Sequence, residues 1–159
     1  MLSMAHRILD GTHRVDTSGK RKKQVWDHPV ESLYKVSHPN HPSTKWVRAN
    51  NKTYEWAWDH FYAMCLEYRQ RFKKPHLTEI KLLDVLRFPP KNISDGDFFD
   101  PPLAISPIQY HDTDHMIAYR KYYLGEKLEW SQRGKPVYAK WTNQIVPKFI
   151  QEKNVHVGT

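Results

Sequence analysis

His60, Glu67 and Arg71 are spaced by seven and four residues, with Met64 between them. At 3.6 residues per turn, that spacing places all four on one face of a helix. A carboxylate at the margin of an apolar stripe is either raised in pKa by desolvation or held ionised by a neighbouring guanidinium. Both states suit acid–base work, with Glu67 as the reacting group and His60 positioning it. The same spacing also describes an ordinary i,i+4 Glu–Arg pair, worth roughly a few tenths of a kcal/mol.

A second set of residues pairs positive charge with flat rings. Arg48 lies beside Trp46, Lys74 follows the His60–Arg71 segment, and Tyr119-Arg120-Lys121-Tyr122-Tyr123 precedes Lys127. Guanidinium and ammonium groups meet phosphates, while rings stack on bases. On this reading Arg48, Arg71, Lys74, Arg120 and Lys127 grip a nucleic acid backbone, and Trp46 or Tyr119 meets an unstacked base. The composition agrees: the 159 residues carry a formal charge of +8 and 13% aromatics, including six Trp and nine Tyr. Packing of the rings with the basic side chains snorkelling outward explains the same pattern without a ligand.

Other chemistries lack their signatures. The sequence has no G-x-x-x-x-G-K-[ST], G-x-G-x-x-G or G-x-S-x-G, so phosphate-loop, dinucleotide and hydrolase-elbow sites are not expected. The pairs His38/His41 and His111/His115 have spacings that could share a metal, but no H-E-x-x-H or cysteine pair accompanies them. Neither a metal nor a cofactor is expected. Cys65 is the only cysteine, which removes internal disulfides and fits a reducing compartment. No run of 18 apolar residues suggests a membrane span.

The elements that must hold these groups are mostly α. The fold expected is a compact single-domain helical bundle, residues 1–159, around one long central helix with a long irregular Pro-rich loop. A first helix runs from Met1 to Gly11, apolar from its first residue and without an N-cap, which suggests a segment upstream of Met1. Residues 12–27 form an exposed loop or hairpin carrying Lys20-Arg21-Lys22-Lys23, and a short helix follows His28-Pro29. Ser43 caps a short helix bearing Trp46 and Arg48. Thr53 caps the main helix, Tyr54–Phe72, about 29 Å long. Its stripe Tyr54, Trp58, Phe61, Cys65, Tyr68 and Phe72 has the period of one buried face. Thr78 caps a further helix. Residues 88–111 include five of the eleven prolines and cannot remain helical. Asp112 or Thr113 caps a helix through Tyr123, and an amphipathic tail runs from Asn143 to Glu152.

Four segments together resemble a small protein family of tailed bacteriophages along nearly the whole chain. They are His38-Pro-Asn-His-Pro-Ser-Thr-Lys-Trp-Val-Arg48, Tyr54-x-Trp-x-Trp-x-x-His60, Glu67-Tyr-Arg-Gln-Arg71-Phe-x-Lys-x-His76, and Tyr119-Arg-x-Tyr-Tyr-x-x-x-Lys127. Members often carry a leading segment rich in Asp, Lys and His, which this sequence lacks. Some are described as similar to a pyrimidine-dimer DNA glycosylase. The resemblance implies a small, basic, helical repair enzyme that uses an N-terminal α-amino nucleophile with a Glu and Arg residues nearby. It places the protein in the host cytoplasm, acting on nucleic acid, with DNA expected. The expected function is therefore a DNA glycosylase/lyase-type base-excision enzyme. A non-catalytic nucleotide-binding or host-takeover protein, or a structural helical domain with incidental charge, are the alternatives.

Overall fold

The computed structural model describes residues 1–132 and 134–155, apart from the side chains of residues 130–132, 144 and 153–155. Helices dominate: six α-helices and two antiparallel hairpins are found among the described residues. No described helix is long and apolar enough to cross a membrane. The chain, read from its sequence as one domain, divides into two compact units, Met1–Pro102 and Leu103–Thr159. The division falls inside the Pro-rich stretch, at the pair Pro101-Pro102.

The first unit opens with α1 (Leu2–Asp10), which ends at Gly11. Gly11 is extended there rather than left-handed, so its value lies in space. A Cβ at this position would be driven into the Arg7 carbonyl oxygen and stand 2.6 Å from that of Asp27, both main-chain atoms that cannot swing aside. Glycine thereby lets α1 meet the hairpin of β1 (Thr12–Asp16) and β2 (Lys23–Asp27), paired from Thr12↔Asp27 to Asp16↔Lys23. The basic run occupies the exposed turn and the start of β2. Arg7 braces the hairpin and the segment beyond it, donating to the carbonyls of Trp26 (2.9 Å) and Leu33 (2.8 Å). The helix expected after Pro29 does not form; residues 28–40 are irregular, with only isolated turns and bends.

The next helices are α2 (Pro42–Val47), α3 (Asn51–Phe72) and α4 (Leu77–Leu82). Their caps lie two or three residues before those expected. His41 caps α2, with Pro42 at the first position, where its missing N–H costs nothing. His76 rather than Thr78 caps α4, its Nδ1 accepting from the Thr78 amide at 3.1 Å. Asn50 rather than Thr53 caps α3. Its Oδ1 accepts from the Thr53 amide at 3.0 Å, while Thr53 Oγ1 accepts from the Asn50 amide at 3.3 Å, a reciprocal capping box. At the other end, Lys73 takes a left-handed conformation (φ 56°) and stops the helix.

The core of this unit combines Leu2 and Ala5 of α1, Leu33, Trp46 and Val47 of α2, Tyr54 of α3, and Leu82 and Leu86. Tyr54 is fully buried, donates to the Leu86 carbonyl (2.9 Å) and meets His6 Nε2 at 2.8 Å. The long helix is therefore present, but within α3 only Thr53, Tyr54 and Cys65 are buried, and Phe72 at the end of the expected stripe is 56% exposed. The Pro-rich segment is laced to this framework. Lys91 and Asn92 amides donate to Asp10, the Asn51 amide to Ser94 O (2.9 Å), and Asn50 Nδ2 to Asp97 O (2.9 Å).

The second unit contains α5 (His115–Tyr122), which continues into a single π-helical turn, Tyr123–Lys127. Asp114 caps α5, its carboxylate accepting from the amides of Met116 (2.8 Å) and Ile117 (3.2 Å). Beyond it β3 (Glu129–Gln132) pairs with β4 (Lys135–Tyr138), and α6 (Lys148–Val155) closes the described chain.

Candidate functional site

An apolar hollow of about 270 Å³ opens against the N-terminal half of α3. Trp46 and Val47 of α2, Trp56, His60 and Met64 of α3, and Tyr34 are among the side chains lining it. Trp46 forms its inner wall: the residue is 6% exposed, and its indole Nε1 donates to Phe99 O at 2.9 Å. That bond to the Pro-rich segment fixes the ring, and Trp56 meets it edge-on with centroids 5.5 Å apart. One turn along α3, the His60 imidazole stacks on Trp56, with centroids 5.4 Å apart and planes 7° from parallel. Trp56 is 43% exposed and Met64 53%, so the outer wall is an open aromatic platform. Across from it, Tyr34 Oη and Thr78 Oγ1 share a hydrogen bond of 2.9 Å. Met1 also lines the hollow, and burial pushes its α-amino group below the ordinary value.

The predicted acid–base face is realised as a continuous stripe. His60, Met64, Glu67 and Arg71 follow at intervals of four, three and four, running from the hollow to the last turn of α3. Lys74 lies beyond the left-handed Lys73 that ends the helix. Arg71 Nε donates to Glu67 Oε1 at 2.5 Å, with both side chains a little over half withdrawn from solvent. Glu67 lies one turn beyond Met64 and is not itself a wall of the hollow. His60 and Glu67 are separated by about 10.5 Å of helical rise.

Other predicted site residues take different positions. Arg48 is half-buried, its Nη2 donating to Pro39 O at 2.8 Å, so it holds the His38–Pro42 turn to α2. Its Nη1 is buried without a partner, and burial lowers the guanidinium pKa. Lys74 is exposed. Tyr119, Arg120 and Lys127 belong to the second unit. There the Tyr119 hydroxyl accepts from the Ala104 amide (3.0 Å), Arg120 sits over the Phe149 ring (5.6 Å) and Lys127 over Tyr122 (5.1 Å). Tyr119, Tyr122, Tyr123 and Lys127 line a separate cavity of about 590 Å³. The predicted basic–aromatic residues thus form two sets, one in each unit.

The histidines weighed as metal pairs do local work. His41 caps α2, His38 bonds Ser37 Oγ (2.7 Å), and the His111 ring bonds Ile105 O (2.6 Å). Two other groups were not singled out from the sequence. Glu79 on α4 is 2% exposed and forms an ion pair with Arg69 of α3. Cys65 lies near that pair; burial first, and then the Glu79 charge, push its thiol pKa up. The ligand atoms of His6, Asp10 and His28 lie within 4.8 Å of one another beside a cavity of about 400 Å³. The i,i+4 spacing of His6 and Asp10 was legible as a signal; the approach of His28 depends on the hairpin.

Comparison with known protein families, curated proteins and solved structures finds no match to this chain.

Proposed function

We propose that this protein binds nucleic acid, DNA by preference, and takes one unstacked base into the hollow between α2 and α3 for a base-excision reaction of the glycosylase type. The observation that carries this reading is the open Trp56–His60 stack at the mouth of a hollow of about 270 Å³. A flat, half-exposed aromatic pair offers a base the same face that stacking uses in single-stranded nucleic acid binding. The hollow's small size suits one ring system rather than a folded oligonucleotide. The stripe on α3 supplies the rest of the assignment. Trp56 and His60 hold the base. Glu67, one turn beyond the hollow's wall, stabilises the oxocarbenium-like sugar carbon as the glycosidic bond breaks and the base leaves with the bonding pair, or takes the proton of the attacking water. Arg71 and Lys74, the latter just past the end of α3, meet the phosphates. The +8 charge of the chain favours a polyanion at long range.

The test is binding of a fluorescent single-stranded oligonucleotide, followed by anisotropy across a salt series. Loss of one base–ring stack is worth about 1–3 kcal/mol, so Trp56→Ala should weaken binding roughly 5- to 150-fold. An Arg71→Gln/Lys74→Gln double variant should flatten the dependence of log K on log salt by about 1.4 units. Glu67→Gln should retain affinity while losing base release from duplex DNA. Unchanged affinity in Trp56→Ala rejects the hollow as the base site. Tight binding of a free mononucleotide with little salt dependence would favour a non-catalytic nucleotide receptor instead.

A further inference from the structure

The geometry points to a divalent transition-metal site, best matched to zinc, formed by His6, Asp10 and His28 at the junction of α1 with the β1–β2 hairpin. Two imidazoles and one carboxylate are a borderline-soft donor set of the kind zinc takes with three protein ligands and one open position. Their ligand atoms already lie within 4.8 Å of one another. Donors around a tetrahedral zinc at about 2.1 Å stand roughly 3.4 Å apart, so the remaining approach is within the reach of side-chain torsions.

The surroundings orient two of the three ligands. Tyr54 donates its only hydroxyl proton to Leu86 O, so toward His6 it can only accept. His6 Nε2 therefore donates to Tyr54, and the ring's further hydrogen bond to the Phe88 main chain would be exchanged for the metal on coordination. A metal-binding histidine generally has this arrangement, with its second nitrogen anchored by an acceptor. Asp10 is fixed by the amides of Lys91 (2.8 Å, to Oδ2) and Asn92 (2.9 Å, to Oδ1), which leave each oxygen a further lone pair. His28 is the adaptable member. Its Nδ1 accepts from the Val30 amide at 3.0 Å, a bond that would be given up on coordination. All three residues line the same cavity of about 400 Å³, with Phe88, Lys91 and Asn92 among its other walls. The fourth coordination position can therefore hold water or a ligand oxygen. This cavity is distinct from the Trp56–His60 hollow, so the inference does not depend on the proposed base site.

Titration of the metal-free full-length protein with Zn²⁺ in a calorimeter, and with Co²⁺ followed by visible absorption, tests the assignment. The expected result is one equivalent bound with micromolar or tighter affinity, with low-coordinate Co²⁺ bands. His28→Ala and Asp10→Asn should each weaken binding at least tenfold. His28 is half-buried and outside the core cluster, and metal-free melting of each variant checks that it is folded. His38→Ala, remote in sequence and occupied with Ser37, should bind as the parent does. The site is overturned if the parent binds neither ion at micromolar concentration. It is equally overturned if both folded ligand variants bind as the parent does.

Discussion

Replacing Asn50 by Ala removes two bonds from one nearly buried side chain. Its Oδ1 caps the Thr53 amide at 3.0 Å, and its Nδ2 ties Asp97 O at 2.9 Å. Loss of an Asn cap costs about 1 kcal/mol, up to about 2. Loss of the second bond adds about 1 kcal/mol, since the Asp97 carbonyl keeps some access to water. The expected destabilisation is thus about 2–3 kcal/mol. If Met1–Pro102 melts as its own unit, its unfolding entropy at about 2.1 cal/mol/K per residue is near 0.2 kcal/mol/K. The melting temperature should then fall by about 10–14 °C; if the whole chain melts together, the fall is about 6–9 °C. Calorimetry distinguishes these cases, because only the first gives two transitions of which one moves. Asn50→Asp keeps the capping oxygen and favours the positive helix end but loses the donor to Asp97 O, so it should cost less than Ala by roughly the value of the cap. A loss below about 0.5 kcal/mol for Ala would refute the reasoning. So would an Asp variant as damaged as Ala, which would show that the cap is not what holds the start of α3.

Two further outcomes concern buried charge. Arg69→Met strips the counter-ion from Glu79, which is 2% exposed. Removing the guanidinium leaves a buried carboxylate without its counter-charge; urea unfolding should show a lowered midpoint, and Arg69→Lys should recover part of it. Burial holds His6 below its ordinary pKa, opposed by Asp10 and reinforced by His28. Because the folded value is the lower one, the unfolded chain binds the extra proton first as pH falls. Metal-free stability is therefore full above about pH 6.5 and declines as pH drops through that value toward the folded pKa, by at most one proton's slope. His6→Gln should flatten this slope in denaturant titrations at pH 7.5, 6.5 and 5.5. An unchanged slope would refute the assignment to His6.

The helices were legible because their signals are local. The 4-3-4-3 rhythm from Tyr54 to Phe72 located α3 to within three residues of its observed start. The Glu67–Arg71 pair needed nothing beyond its own helix. Caps were displaced because several residues near each helix start can accept from an early amide, and the choice rests with the backbone. Asn50 is extended (φ −159°, ψ 175°) and can turn its side chain onto Thr53, whereas Thr53 is already inside the first turn. The β1–β2 segment was read as a loop or hairpin without a choice between them, because neither strand buries a full face and no alternation of apolar residues marks a register. Glu79's burial and the approach of His28 to the His6–Asp10 pair were illegible for a further reason. Each depends on residues from elements that tertiary packing alone brings together.

The same distinction bears on what α3 is for. Its burial is concentrated at Thr53, Tyr54 and Cys65, and the core of the first unit closes around Tyr54. Trp56, Met64 and Phe72 are 43%, 53% and 56% exposed. An exposed apolar side chain taken singly is ordinary. Trp56 and Met64 are not isolated, since with His60 they are three successive turns of one face and all three line one hollow. Ring contacts with Trp46 and Phe98 account for part of Trp56, while its stacked pair with His60 stays half in water. On the proposed reading, a base laid over the exposed face of the Trp56–His60 pair would give that area a use. The thermodynamic consequence is measurable: binding must bury the platform and carry a negative heat-capacity change. Trp56→Ala should diminish that change together with affinity.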